Sequence, residues 1–428
     1  MTPPSDGPVR AEPTPSEIFG NPGLLKLELI QHGVRLDASI SPEIAPPARH
    51  GPAFVNAWDL DLILPQETWI SVPTSSAWGG RSSYLLRAEG DGHALVYAPE
   101  GSPEDTTLSV PVEIPPRSPF YERTTATGIP LSRLGSVHGS HLALSPISEC
   151  SFVGTQGQCR FCSLDGMPQD RVPVDDVIEA IRIANEHRRI EMVFLNVGHL
   201  PGEDSGIRAL EPYIRAIKRT FDILVAVDAL PPKDNAWIDR TYAMGVDSVS
   251  YNLEIFDPDR FATICPGPAR DLGRGRYLEA LAHAATVFPS GATICHLIVG
   301  LEPLESTRAG IETLTAMGVV PVLPIHRPFK GIDMRQTPEA SEPFSTRELS
   351  DLYGELYQQL RDRNIQMRWV RGLSVATTPA EGRFFVMETG LSGLLARIGD
   401  RAPSSVLSDW RRALRVQKVD GSFKSSGL

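Results

Sequence analysis

A chain of 428 residues with 41 Lys and Arg, 52 Asp and Glu and a formal net charge of -11 has room for two or three domains, or for one barrel with appended parts. The acidic balance and the lack of any dense Lys/Arg run exclude non-specific binding to nucleic acid or anionic membranes, which need a positive field, and point to a small-molecule partner. No stretch approaches the roughly 20 apolar residues that span a bilayer and the N-terminus has no apolar signal core, so a cytoplasmic protein is expected. Five cysteines, an odd number, fit reduced thiols and a metal better than a disulfide framework.

Residues 1–20, rich in Pro and acid, read as a disordered N-terminus. From 21 to 118 short apolar runs (FVNAWDLDLIL, WISVP, YLLRA, ALVYA, LSVPVEI) are broken by Gly, Pro and Asp. That spacing predicts a small, mostly β domain led by one helix near Leu24 to His32, with Trp58, Trp69 and Trp78 as core or interface residues. Residues 115–139 read as a connector that packs beside the loop after the next strand.

Then strand-like and helical runs alternate six times: HLALSPIS and VDDVIEAIRIANEHRR; EMVFLNV and GIRALEPYIRAIKRT; DILVAVDAL and DNAWIDRTYAMG; DSVSYNLEI and RYLEALAHAATVF; GATICHLIVGL and STRAGIETLTAMG; VVPVLPIHRP and, after an insertion, TRELSDLYGELYQQLRDRN. Consecutive β/α repeats require parallel strands joined by right-handed crossovers, and the Val/Ile/Leu-rich runs are those of strands covered on both faces. Six repeats are three-quarters of an eightfold barrel. The expected fold class is therefore α/β, a partial (β/α)6 TIM-like barrel over 119–372, followed by a helical C-terminal extension over 373–428 carrying GLSGLLARI and a second run near Trp410 to Val416.

In such a barrel the chemistry sits at the C-terminal strand ends, so the loop CSFVGTQGQCRFC and the breaks NVGHLPGED, DALPP, NLEIFD, VGLEP and IHRP open onto one mouth. The loop sets Cys150, Cys159 and Cys162 eight and then two residues apart. Three thiols could be core, but this loop is polar and carries Gly154 and Gly157. They could hold a structural zinc completed by His138, His141 or His199. They could also hold a 4Fe-4S cube, leaving one iron without a protein ligand and one cluster face shielded by Phe161.

A three-cysteine loop after the first strand of a six-repeat barrel resembles the radical SAM superfamily, whose usual spacing of three and two is here eight and two. The segments FYERTTATGIPLSRLGSVHG, CRFCS, VAVDALPP, LEIFDPDRFATICPGPA and RYLEALAHAATVF, between about Phe120 and Pro328, are further similar to radical SAM proteins encoded beside a nitrilase in a bacterial gene cluster. The resemblance implies a 4Fe-4S cluster on Cys150, Cys159 and Cys162 whose open iron is chelated by S-adenosylmethionine. It also implies reductive cleavage to a 5′-deoxyadenosyl radical that takes hydrogen from a small polar metabolite, with flavodoxin or ferredoxin as electron donor.

By the same resemblance Asn196, Gly198 and His199 stand where the family has a Gly-Gly-Glu turn for the cofactor's amino group; this chain keeps Gly198 and lacks the carboxylate. Asn252 and Glu254 match the position that binds the ribose hydroxyls or amino group, although Glu254 could instead pair with Arg260. Arg274 or Arg276 would neutralise the cofactor carboxylate, and Gly300 and the backbone from Pro324 to His326 would border the adenine. Asp228 and Cys265 are the candidate catalytic residues: Asp228 meets substrate or caps the next turn, and Cys265 donates a hydrogen atom or binds an intermediate. His326 and Arg327 have the same two readings as Asp228, Pro231 and Pro232 shape their loop, and Cys295 reads as core.

Two thiols beyond the loop are too few for a second cluster, which disfavours a sulfur-inserting enzyme. The rival of another class is a zinc-stabilised metabolite-binding protein without turnover. A third possibility is a degenerate barrel that binds the cofactor as a scaffold.

Overall fold

The computed structural model describes residues 11–44, 59–74, 80–99, 101, 105–162, 170–187, 189–326, 344–370 and 373–386. Order begins earlier than composition suggests. Helix α1 (Pro15–Gly20) forms inside the stretch expected to be disordered, because Thr14 and Glu17 make a reciprocal capping box and Pro15 opens the first turn. Helix α2 (Pro22–His32) is capped by the Asn21 side chain and ends at Gly33, whose φ of 67° only glycine adopts freely.

The expected β unit follows. Strands β1 (Arg35–Leu36), β4 (Tyr84–Glu89), β5 (Gly92–Tyr97) and β6 (Asp105–Val112) make one sheet, and β2 (Leu60–Leu64) pairs with β3 (Thr68–Val72) as a hairpin. Alternate residues of β2 turn inward, and Leu62, Ile70, Leu86 and Leu95 join Leu25, Leu29 and Ile30 of α2 in one fully buried cluster. Trp69 is half-buried; Trp58 and Trp78 lie outside the described residues.

The connector does more than link. It forms the 3₁₀ turn Pro119–Glu122, helix α3 (Leu131–Leu134) and strand β7 (Gly135–His138), which pairs antiparallel with β8 (His141–Ile147). Parallel strands then follow in chain order: β9 (Met192–Val197), β10 (Leu224–Asp228), β11 (Ser248–Ser250), β12 (Thr293–His296) and β13 (Val320–Val322). The spatial order β13-β12-β11-β10-β9-β8-β7 runs in one direction without the reversal of a doubly wound sheet, and the sheet curls into a half-barrel.

Helices α4 (Val174–His187), α5 (Ile207–Thr220), α6 (Ala236–Ala243), α9 (Gly273–Val287), α10 (Leu304–Ala316) and α11 (Thr346–Asp362) complete the six repeats. The loop after β11 holds two further helices, α7 (Pro258–Ile264) and α8 (Pro266–Asp271). Of the C-terminal extension, residues 373–386 are described, including a 3₁₀ helix at Pro379–Phe384; the expected helices at 390–398 and 410–416, the insertion at 327–343 and Arg327 lie outside the described residues.

Register decides what the half-barrel presents. Asn196 lies beside Asp228, Asp228 beside Ser250, and Ser250 beside Ile294, so these side chains share one face with Asn252 and His296, two residues further along their strands. The opposite face carries Val193, Leu195, Val225, Val227, Val249 and Cys295, all fully buried, and Leu297 on that side meets Gly310 of α10. The apolar face therefore packs on the helices, and the polar one lines the concave side.

Candidate cofactor and substrate site at the barrel mouth

The thiol loop leaves β8 at its C-terminal end and is fastened at two places. On one side Ser151 N–H donates to the His199 carbonyl at 2.8 Å, the Ser151 hydroxyl and His199 Nδ1 are 2.7 Å apart, and the Phe152 and His199 rings stack at 4.5 Å. A Cβ on Gly198 would come within 2.5 Å of Cys150 Cβ and of the Glu149 carbonyl, so only glycine lets this strand end approach the loop so closely. On the other side Arg160 N–H donates to the Ile264 carbonyl at 3.0 Å and Gly267 N–H to the Gly157 carbonyl at 2.9 Å. A Cβ on Gly267 would sit 2.4 Å from that carbonyl and 2.6 Å from the Phe152 ring.

All five cysteines are free thiols; Cys150, Cys159 and Cys162 are part-exposed, whereas Cys265 and Cys295 are buried. Cys265 donates its S–H to Cys159, which holds the Cys159 thiol below its ordinary value and pushes Cys265 up. Cys295 is a core thiol that accepts from Leu253 N–H at 3.4 Å. Among the described residues no three His, Cys, Asp or Glu side chains converge on one point as a ready metal site.

The donor set nevertheless fits an iron–sulfur cluster in kind: three unbridged, part-exposed thiols on one loop, with a turn from Cys159 to Cys162 closed by a 3.1 Å backbone hydrogen bond. The zinc alternative loses two of its completing ligands. His138 and His141 sit on the β7–β8 turn, at the far end of β8 and roughly 20 Å of strand from the loop. Burial pushes both imidazoles down to about 4.

Beneath the loop lies the polar concave layer. The Asn252 amide oxygen accepts from the Ser250 hydroxyl at 2.6 Å and His296 N–H at 3.0 Å, which turns its NH₂ to Asp228 Oδ1 at 2.9 Å. Asn196 reaches Ser145 at 3.5 Å. Burial pushes the Asp228 carboxyl up to about 7, with the Asn252 hydrogen bond opposing, and raises Glu254 well above the ordinary range, with the Asp228 and Cys159 charges adding to it. Glu254 has φ 66°, a left-handed conformation that a side chain rarely adopts and that re-aims it at the strand end. No salt bridge joins it to Arg260 among the described residues.

The two arginines part company. Arg276 is fully engaged, donating to the Pro232 carbonyl and the Asn235 side chain at 2.7 Å each and pairing with Glu279 at 3.0 Å. Arg274 lies 4.1 Å over the Phe256 ring with its buried Nε unpartnered. Across the mouth Gly300 (φ 106°) lets His326 pack against it, and His326 N–H bonds the Val299 carbonyl at 2.8 Å. The loop therefore gathers with Gly198, His199, Glu254 and Cys265, while Arg276 is drawn off to the loop of Pro232.

Sequence reasoning missed His296, Phe152 and Gly267. His296 follows Ile294 by two residues in an otherwise apolar run, a period that becomes a signal only once the strand's facing is known.

No family model matches the chain. Over 143 residues it is 29% identical to a bacteriochlorophyllide c C-7(1)-hydroxylase of Chlorobaculum limnaeum, a match that covers 33% of this chain and 35% of that protein. The chain thus aligns with about a third of the relative's length. Among solved structures, methylornithine synthase superposes with a TM-score of 0.42 at 13% identity, covering 51% of this chain and 62% of that one. A radical SAM methyltransferase from Sphaerobacter thermophilus gives 0.38 at 15%, covering 66% and 75%. The half-barrel assignment rests on the strand order described above, independently of these superpositions.

Proposed function

We propose that the chain is a radical SAM enzyme that takes a hydrogen atom from a small polar metabolite. The observation that carries this is the fastening of a three-thiol loop onto the C-terminal edge of a six-repeat half-barrel, directly above a polar layer that the protein leaves incompletely bonded. Cys150, Cys159 and Cys162 would hold a 4Fe-4S cluster. Bound there with S-adenosylmethionine, it supplies one-electron cleavage of the sulfonium and the radical that follows.

The chain's own residues position and enclose. Glu254 offers a carboxylate to the cofactor's amino group or ribose hydroxyls, a role that relieves its unpaired burial. Arg274, its guanidinium braced on Phe256, offers a fork to the cofactor carboxylate. Gly198 and His199 press the loop into place, and Gly300 and His326 form the opposite wall. The matched relative is named for hydroxylating one carbon of its substrate, in keeping with action at a C–H bond. Rearrangement, cleavage and dehydrogenation are the outcomes to be distinguished by product analysis, with a flavodoxin or ferredoxin as the electron source.

Anaerobic purification tests this. A brown protein with about four irons per chain that forms 5′-deoxyadenosine from S-adenosylmethionine on reduction is expected, and Cys159→Ala should abolish both iron loading and cleavage. A colourless, zinc-bearing protein would instead support the binding-protein alternative, and cleavage retained by Cys159→Ala would refute the ligand assignment.

A further inference from the structure

Among the described residues, three interior carboxylates outside the concave layer are each met by a cation or by two or more donors. Asp247 takes Lys218 and the Val225 N–H; Glu302 takes the N–H groups of Phe256 and Asp257 at 2.8 and 2.7 Å and the Thr307 hydroxyl at 3.1 Å; Glu381 takes Lys26 at 2.8 Å. Asp228 has one amide hydrogen bond and no cation, and the Glu254 side chain has neither hydrogen bond nor ion pair among the described residues.

Their surroundings are unfinished too. The His296 ring, beside Asn252 on the same face, is part-buried and makes no hydrogen bond among the described residues, and His326 Nδ1 is buried without a partner. Asn196, Asp228, Asn252, Glu254 and His296 are each part-buried on the concave face. A polar face that stays part-accessible on the concave side of the sheet is open to a ligand. Burial pushes the His296 imidazole down to about 4, so it does not supply a positive charge to balance the acids.

We propose that the lumen of the half-barrel recognises a small organic cation, an ammonium or amidinium group of the substrate, and that Asp228 is the residue that receives it. Asn252 holds the Asp228 carboxyl in place through an amide whose orientation Ser250 and His296 fix, and the second oxygen is left for the ligand. The division of labour rests on the radical SAM reading: Glu254, past the end of its strand, serves the cofactor, and Asp228 on the neighbouring strand is left for the substrate.

The test uses the full, cluster-loaded chain and ligand-observed NMR with n-butylamine, a cation at neutral pH, against its neutral isostere 1-butanol. The amine should bind about tenfold or more tightly, and Asp228→Asn, checked for folding by its melting curve, should remove the preference. Equal binding of the two probes by the wild type, or a preference that survives in Asp228→Asn, overturns the inference. Formation of 5′-deoxyadenosine by the same wild-type preparation is read in parallel. Its failure with the amine preference intact removes the enzymatic reading alone, and the opposite result removes the cation site alone.

Discussion

Asp228 carries a cost that folding alone would not select. Its carboxyl is raised by burial to about 7, above the unfolded value near 4, so between about pH 4 and 7 the native chain binds more protons than the unfolded one. Stability therefore falls as pH rises through that window, and above it the buried charge costs up to roughly 4 kcal/mol. Asn at this position keeps an oxygen to accept from Asn252 and removes the charge. Asp228→Asn should melt higher than wild type at pH 8, with the gap closing as pH falls toward 4; parallel thermal scans read it, and equal melting temperatures at pH 8 would contradict it. Gly198 makes the complementary case. A methyl there meets backbone and Cys150 Cβ at 2.5 Å, atoms that cannot swing aside, so Gly198→Ala should lower stability by about 1–3 kcal/mol and reduce iron loading. Gly20→Ala, with nothing within 4 Å, should do neither. Cys150, Cys159, Cys162 and Asp228 stand out in the sequence as chemistry-bearing residues after apolar runs, and the family resemblance singles out Asn252 and Glu254. The Cys159–Cys265 bond was not legible, since it joins two loops that only the barrel's closure brings together.

At the scale of elements, all six β/α repeats could be read from periodicity, and the errors fall where local chemistry overrides composition. Pro266 at the first position starts α8, and Pro258 starts α7 behind the Asp257 cap, two helices absent from the expected repeats. Thr14-Pro15-Ser16-Glu17 carries a full capping box inside a segment whose proline content reads as disorder. Strand β7 was hidden by its length, a four-residue run whose partner is the next strand across a tight turn at Gly139 (φ 58°). The two cryptic helices matter to the site, for α7 ends and α8 begins at Cys265, and the corner between them supplies the Ile264 carbonyl and Gly267 N–H that hold the thiol loop. Gly267→Ala should therefore loosen the loop without touching a thiol. The expected outcome is weaker iron retention during desalting, measured against the wild type, with the six-repeat core still giving a cooperative melt.

At the scale of the molecule, the division into a β unit, a barrel and an extension is blurred by a seam that no composition shift marks. Residues 373–386 thread between α2 and α11: Asn21 donates to the Phe384 carbonyl at 2.9 Å, Ser71 N–H to the Ser374 carbonyl at 2.8 Å, and Glu28 of α2 accepts from Thr346 at the head of α11. At the centre Lys26, fully buried, places its ammonium 2.8 Å from Glu381. Burial holds that ammonium below its ordinary value even though Glu381 opposes the shift, so the pair is held together by the fold as much as it holds the fold. Removing only the acid leaves an unanswered interior charge. Glu381→Gln should destabilise the protein by about 3–5 kcal/mol, whereas Lys26→Met combined with Glu381→Gln should recover most of the loss, because an apolar chain of similar length fills the same space without desolvating an ion. Chemical denaturation of the two variants decides it: a double variant no more stable than the single would mean that the ion pair itself, and not the avoidance of an unpaired charge, joins the three parts of the chain.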